Sequence, residues 1–262
     1  MKQKAQVGLF LFLILIIVSI AIIATQVKHS RTPALEQTLS VPIDGTVAHF
    51  VENCLADIGG GAIYDIALRG GYYHVPQPSM QFYGADTPIY WNRDTSLKPS
   101  RGTIAQEIAS FVNANLNYCL NNFSALEEQG YSIEMPIDFH TLVTVSDENV
   151  VITLLDPLAI KRENTEQTIQ GLSATIDTPF GSLYSIVSQF MEEQSKNPSD
   201  IPLGYLASMA SKYGFNFEII QMSDELVIIN LMLDWKDDTL TYSFAQEYSA
   251  QNHQVSFLGV LP

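Results

Sequence analysis

The stretch of sequence that decides the fold is DGTVAHFVENCLADIGGGAIYDIAL, residues 44–68. Its apolar residues recur every three or four positions, as one face of a helix requires: Val47, Val51, Cys54 and Ile58. Asp44 or Thr46 can cap the first turn. The pattern predicts an amphipathic helix of about six turns that ends near Leu68, with the glycines 59–61 inside it.

A second long helix is predicted to begin at Thr103, which forms a capping box with Gln106. Apolar residues at helical spacing follow as far as Phe123. Residues 69–102, which we name the aromatic loop, lie between the two helices. They carry four of the prolines and much of the aromatic content of the chain, and the prolines predict a long irregular segment.

The chain after residue 130 is predicted to be rich in β-structure, because apolar residues alternate with polar ones. We expect strands near residues 131–139, 141–146, 150–155, 159–162, 167–176, 215–221, 226–233 and 240–248. Two helices precede the last three strands, one beginning at Pro179 and the other ending at Gly214. This order predicts the α+β class, with long amphipathic helices and an antiparallel β-sheet.

An uncharged apolar run from Val7 to Ala24 precedes these elements. A helix over this run would be about 27 Å long, close to the thickness of about 30 Å of a bilayer's hydrocarbon core. We therefore predict an N-terminal transmembrane helix that contacts membrane lipid through residues 7–24. The predicted division of the chain is an anchor with a short cytoplasmic tail over 1–31, a linker over 32–43 and an acidic extracytoplasmic domain over 44–262, in which 44–129 form a helical hairpin with the aromatic loop and 130–262 a β-rich part.

The net charge of −15, from 28 acidic and 13 basic residues, argues against a nucleic-acid partner, because a phosphate-binding surface must be basic. All the acidic residues follow Arg31, which fits an exterior location for the domain. We find no metalloprotease, P-loop or serine-hydrolase motif, and no two of the five histidines have a spacing suited to a metal site. The sequence therefore predicts no catalytic residue, metal site or cofactor, and a function other than catalysis is favoured. An enzyme would need carboxylates that only the fold brings together.

Cys54 and Cys119 each fall on the apolar face of a predicted helix, so both can reach one interface. A disulfide and two buried free thiols are the alternatives, and an exported domain favours the disulfide. Asn122 begins an Asn-Phe-Ser sequon and is a glycosylation candidate if the domain is outside the cell.

The aromatic residues Tyr72, Tyr73, Tyr90 and Trp91 support two interpretations. Tyr and Trp rings bind sugars and peptides by stacking, so the aromatic loop could be a ligand-binding site. Alternatively, the same rings pack the loop onto the two helices, since a loop of this length needs apolar anchors.

The start of the chain, with two lysines followed by Ala5-Gln6 and a long apolar run, resembles the class III leader of archaeal type IV pilins. Such leaders are cleaved directly before the helix. In this chain the corresponding cleavage site lies between Ala5 and Gln6. The mature pilins usually carry a glutamate where this chain has Phe10. A retained membrane anchor and a processed, pilin-like N-terminus are the two alternatives.

Four further motifs extend the resemblance: FVENCL at 50–55, RGGYY at 69–73, PIYW at 88–91 and NLNYCL at 115–120. Over roughly residues 1–125 the chain resembles uncharacterised single-span archaeal membrane proteins whose N-terminus has the pattern Lys-Gly-Gln-Val, with Ala5 replacing the Gly. The resemblance implies a cell-envelope setting and no catalytic residue. We expect a membrane-anchored, single-pass envelope protein of structural or adhesive type that contacts further copies or other envelope proteins. The alternatives are a pilin-like filament subunit and a tethered module that binds sugar or peptide.

Overall fold

The computed structural model of the protein describes residues 45–134 and 136–249. In these residues the α-helices are α1 (Thr46–Leu68), α2 (Arg101–Leu120), α3 (Ser124–Glu127), α4 (Phe180–Gln194) and α5 (Leu203–Tyr213). The strands are β1 (Ser79–Phe82), β2 (Ala85–Asn92), β3 (Thr95–Ser96), β4 (Tyr131–Glu134), β5 (Thr141–Val145), β6 (Asn149–Leu154), β7 (Leu158–Arg162), β8 (Thr165–Ile169), β9 (Ser173–Asp177), β10 (Asn216–Gln221), β11 (Leu226–Trp235) and β12 (Asp238–Glu247).

The predicted fold class requires a correction at the N-terminus. It placed a transmembrane helix before the α+β domain, but no helix within the described residues is long and apolar enough to cross a membrane. The observed class is a mixed α+β fold without such a helix in residues 45–134 and 136–249. Residues 7–24, on which the prediction rested, lie outside the described residues, as do the leader residues Ala5 and Gln6.

The helix predicted from the sequence over residues 44–68 is confirmed as α1, which lies at the centre of the fold. Its buried residues face several neighbours, because the glycine at 59 packs on Ile152 of β6 and Ile176 of β9. Further along, the ring of Tyr64 lies 4.7 Å from that of Trp235 at the end of β11. A helix in contact with two sheets needs apolar residues around much of its circumference, and α1 has them.

The large sheet has the strand order β1-β2-β12-β11-β10, and β3 pairs with the end of β2. β10, β11 and β12 form the closing meander that the sequence predicts, with Ile228 opposite both Ile220 and Ala245. β2 lies parallel to β12, with Ile89 opposite Ala245. The sheet is therefore mixed, and the prediction of an antiparallel sheet is wrong for this one pair of strands.

Two smaller antiparallel sheets have the orders β5-β6-β9 and β4-β7-β8. The hairpin predicted between β5 and β6 is confirmed, with Val145 opposite Val150. The single strand predicted over residues 167–176 is instead two strands, β8 and β9, which belong to different sheets. Gly171 lies between them with φ of +70°, a conformation that glycine adopts without steric cost.

The start of α2 differs from its prediction. Ser100 is the N-cap, and its Oγ accepts a hydrogen bond from the Thr103 N–H at 3.0 Å. The predicted capping box at Thr103 is therefore wrong, since Thr103 already lies in the first turn. The Arg101 guanidinium donates to Asp147 Oδ1 at 2.6 Å and to Ser185 Oγ at 2.7 Å, which ties α2 to the β5–β6 turn and to α4.

The prediction of an irregular segment over residues 69–102 is also wrong, because this segment contains β1, β2 and β3. Pro88 lies inside β2 although proline usually interrupts a sheet. It precedes Ile89, the first residue of β2 that pairs with β12, so its missing N–H removes no bond to β12. On its other side β2 pairs with the short strand β1.

Candidate interaction surface

The β1–β2 hairpin lies within the aromatic loop and ends in the two-residue turn Tyr83-Gly84. Phe82 and Ala85 pair directly across the turn, and both turn residues have positive φ, 45° for Tyr83 and 81° for Gly84. This is the geometry of a type I′ turn, whose first position usually holds Asn, Asp or Gly. A tyrosine at this position is unusual and strained.

The Tyr83 side chain itself makes no hydrogen bond to another described residue that would offset this strain. The Tyr83 side chain is 93% exposed, and its hydroxyl has no hydrogen-bond partner among the described residues. Its ring lies 4.4 Å from that of Phe82, measured between centroids. A left-handed conformation costs a non-glycine residue roughly 1–2 kcal/mol, so Tyr83 lowers the stability of the hairpin that carries it.

Two clefts flank the hairpin. The first, of about 220 Å³, lies near its base and is lined by Tyr72, Pro76, Gln77, Pro78, Pro88, Ile89 and Leu97. The second, of about 140 Å³, lies near its tip and is lined by Leu68, Phe82, Tyr83, Ala85, Thr87, Asn230, Thr241 and Ser243. Both are smaller than sites for drug-sized ligands, which occupy roughly 300–1,000 Å³. Each has room for about one side chain of a partner.

The second cleft is mostly apolar, and two of its polar lining residues, Asn230 and Ser243, are hydrogen-bonded to each other. Asn230 Nδ2 donates to Glu218 Oε2 at 3.3 Å, and Ser243 Oγ donates to Asn230 Oδ1 at 2.8 Å. These three residues form a row across β10, β11 and β12. The tip of the hairpin therefore places an aromatic pair, Phe82 and Tyr83, beside the buried and mutually hydrogen-bonded Asn230 and Ser243.

The residues predicted as a ligand site lie mostly at the base of the hairpin and are buried there. Tyr90 and Trp91 are almost fully buried, and Tyr72 is 8% exposed. The Tyr90 hydroxyl donates to the Gly70 carbonyl and lies 2.8 Å from the Tyr242 hydroxyl. Trp91 Nε1 donates to the Pro198 carbonyl at 3.1 Å. Burial raises the pKa of the Tyr90 hydroxyl above its usual value, which favours the protonated form that donates this hydrogen bond.

Of the predicted four, Tyr73 is the most accessible. Its backbone N–H donates to Glu107 Oε2 at 2.9 Å, and its ring lies 5.2 Å from that of Phe111. Three buried rings and one ring packed on α2 fit the packing interpretation of the aromatic loop better than the stacking one. Of these four residues, Tyr72 lines the cleft at the hairpin base.

The structure brings Cys54 and Cys119 together in a disulfide that joins α1 to α2, so the disulfide prediction is confirmed. Asn122, the glycosylation candidate, is exposed in the short turn that follows α2 and has φ of +52°. Among the described residues, no group of three His, Cys, Asp or Glu side chains is placed to hold a metal ion.

Phe82 and Tyr83 are not among the predicted site residues, although both lie in the aromatic loop. The missed signal is a Tyr-Gly pair between two short β-compatible runs, MQF and ADT. A residue followed by glycine at such a place predicts a two-residue hairpin turn.

Comparison of the chain with family models, curated proteins and solved structures gave no match. The resemblance to archaeal single-span membrane proteins therefore stays a prediction.

Proposed function

We propose that this is a cell-envelope protein of structural or adhesive type, whose domain works outside the cytoplasm through contacts with other proteins. The observation that carries the proposal is the strained and exposed Tyr83 at the tip of a well-anchored hairpin. The disulfide between Cys54 and Cys119 supports an exterior location, because disulfides persist in oxidising compartments.

Tyr83 is better explained by a contact than by folding. Strained backbone conformations are retained at functional sites, where the residue's role outweighs its cost in stability. Tyrosine is also enriched where protein interfaces are strongest, because its ring buries apolar area and its hydroxyl makes a hydrogen bond. The cleft at the tip has room for about one partner side chain, which suits a protein contact better than a small free ligand.

The proposal is tested with the full chain carrying Tyr83→Asn. Asparagine suits the first position of a type I′ turn, so we expect the free energy of unfolding to rise by about 1 kcal/mol. Adhesion is measured as the retention of protein-coated beads on envelope preparations from the producing cells, and as clumping of the beads with one another. We expect at least one of these to fall by about tenfold or more, as when an interface hot spot is removed.

Tyr118→Asn is the matched control, because Tyr118 is 81% exposed on α2 and lies in an ordinary helical conformation. It should leave adhesion unchanged. If Tyr83→Asn beads adhere and clump as wild-type beads do, the hairpin tip is not the contact and the proposal fails. A loss of adhesion accompanied by lower stability would show that the hairpin had unfolded, and would also count against it.

A further inference from the structure

The turn between α2 and α3 contains a sequence that a sugar transferase can recognise. Asn122-Phe123-Ser124 has the pattern Asn-x-Ser/Thr, and it is the one such sequence of the chain whose middle residue is not proline. Asn122 is exposed, and its side chain makes no hydrogen bond to another described residue. Its amide nitrogen is therefore open to a group that is attached there.

The backbone of this turn is left-handed over three consecutive residues. Asn121, Asn122 and Phe123 have φ of 44°, 52° and 58°. Apart from glycine, asparagine is among the few residue types that adopt this conformation with some ease, so it suits the first two positions. Packing holds the third, because the Phe123 side chain is fully buried and its ring lies 6.0 Å from that of Phe50 in α1.

In the folded chain this sequence is not presented to an enzyme as a whole. A transferase that requires both the asparagine and the serine has to contact both side chains at once. Ser124 Oγ already accepts a hydrogen bond from Asn121 Nδ2 at 2.9 Å, and Phe123 lies buried between the two residues. The sequence can enter an active site only if Phe123 leaves the core.

The disulfide also restrains the turn. Cys119, near the end of α2, is bonded to Cys54 in α1, so the chain just before Asn121 is fixed to the neighbouring helix. Once this bond has formed and Phe123 has packed, the turn opens only by local unfolding. The sequence is therefore most accessible before α1 and α2 are joined.

From the exposed amide, the occupied serine hydroxyl and the buried Phe123, we propose that Asn122 carries an N-linked oligosaccharide, which is attached before the α2–α3 turn folds. The amide nitrogen of Asn122 bonds to the first carbon of a sugar carried on a lipid phosphate. The bond from that carbon to the phosphate oxygen breaks, and the lipid phosphate leaves with the electron pair and takes up the amide proton. The inference rests on the exterior location proposed above, since such modification is typical of secreted chains, and it does not involve Tyr83.

The first test is peptide mass spectrometry of the full chain purified from the producing cells. We expect the peptide that contains Asn122 to carry the mass of a sugar chain. Asn197-Pro198-Ser199 is a control in the same molecule, because Asn197 is also exposed and has a serine at the same spacing, but the proline prevents modification. Ser124→Thr should keep the sugar and Ser124→Ala should lose it, although both variants retain Asn122.

The second test concerns the order of attachment and folding. The full chain, made without sugar in cells that lack the transferase, is added to membranes of the producing cells, which hold the transferase and its lipid-linked sugar. One sample is folded and has the disulfide, and the other is kept reduced and is freshly diluted from urea. We expect sugar to appear on Asn122 at least about tenfold more slowly in the folded sample.

Three results would overturn the inference. If Asn122 of the wild type is unmodified, the site is not used, and the mass before and after reduction then tells whether the location fails as well. An intact Cys54–Cys119 disulfide would leave the exterior location standing, whereas free thiols would contradict it too. Sugar that remains on Ser124→Ala, or that appears on Asn197, would show that attachment does not follow the sequence pattern. Equal rates for the folded and reduced samples would refute the proposed order of events.

Discussion

The three glycines inside α1 provide a sharp test of the packing around this helix. Gly59 is buried, and a Cβ added to it would lie 2.3 Å from Ile152 Cδ1 and 2.6 Å from Ile176 Cδ1. A Cβ added to Gly60 or Gly61 meets no atom within 4 Å. Replacement by alanine should therefore lower the free energy of unfolding at Gly59 and raise it at Gly60 and Gly61.

The magnitudes follow from two opposing contributions. In a helix interior, alanine is about 1 kcal/mol more favourable than glycine, so Gly60→Ala and Gly61→Ala should each raise the free energy of unfolding by about 0.5–1 kcal/mol. Gly59→Ala gains the same helix propensity, but overpacking a filled core typically lowers the free energy of unfolding by about 1–3 kcal/mol. The two isoleucine methyl groups can rotate away in part, so we take a cost of about 1.5–2 kcal/mol. The net change is a loss of about 0.5–1.5 kcal/mol in the free energy of unfolding.

The assay is equilibrium unfolding in urea. The free energies of unfolding are compared between variants whose free energy falls with urea concentration at the same slope. The robust quantity is the difference in the free energy of unfolding between Gly59→Ala and Gly60→Ala. We expect it to be about 1.5–2 kcal/mol, because helix propensity cancels between the two variants. If Gly59→Ala is as stable as Gly60→Ala, α1 does not lie against β6 and β9 as closely as described, and the packing argument fails.

Replacing both Cys54 and Cys119 by alanine should lower the free energy of unfolding by about 4 kcal/mol, because the disulfide closes a loop of 65 residues. A loss below about 1 kcal/mol, measured by urea unfolding, would contradict this expectation. Asp147 should contribute to the pH dependence of stability, because hydrogen bonds from Arg101 and then Ser185 lower the pKa of its carboxyl group below the unfolded value of about 3.9. Its contribution is present above that pH and is lost as the pH falls through the lower folded pKa, so Asp147→Asn should flatten the fall of the urea midpoint below about pH 4. Parallel curves for the variant and the wild type would refute the role of this carboxylate.

The parts of the fold that the sequence predicts well are those with local signals. α1 extends over the predicted residues because its apolar spacing continues for its whole length. Gly214 ends α5 in the left-handed conformation, as its position after the last apolar residues indicates. The closing meander is also local, because each of its strands pairs with the next along the chain. The disulfide could be inferred because both cysteines share an apolar helical face.

The parts that the sequence does not reveal depend on contacts between distant residues. β2 pairs with β12, about 150 residues away, and alternation within residues 85–92 cannot indicate that partner. Pro88 also predicts an interruption, and only the position of β12 shows why it is tolerated. Likewise, the strain at Tyr83 depends on a turn that forms only once β1 and β2 pair.

The aromatic loop divides its residues between two roles, and this division explains why the predicted site and the candidate site differ. Tyr90 and Trp91 are buried at the base of the hairpin and hydrogen-bond to distant backbone carbonyls. Such anchors hold β2 in place, and the turn at Tyr83 can keep its strained conformation only if the strands below it are fixed. An aromatic pattern in sequence therefore marks the anchors and the exposed tip alike. Burial separates them, and it leaves Tyr83 as the residue of this hairpin most open to a partner.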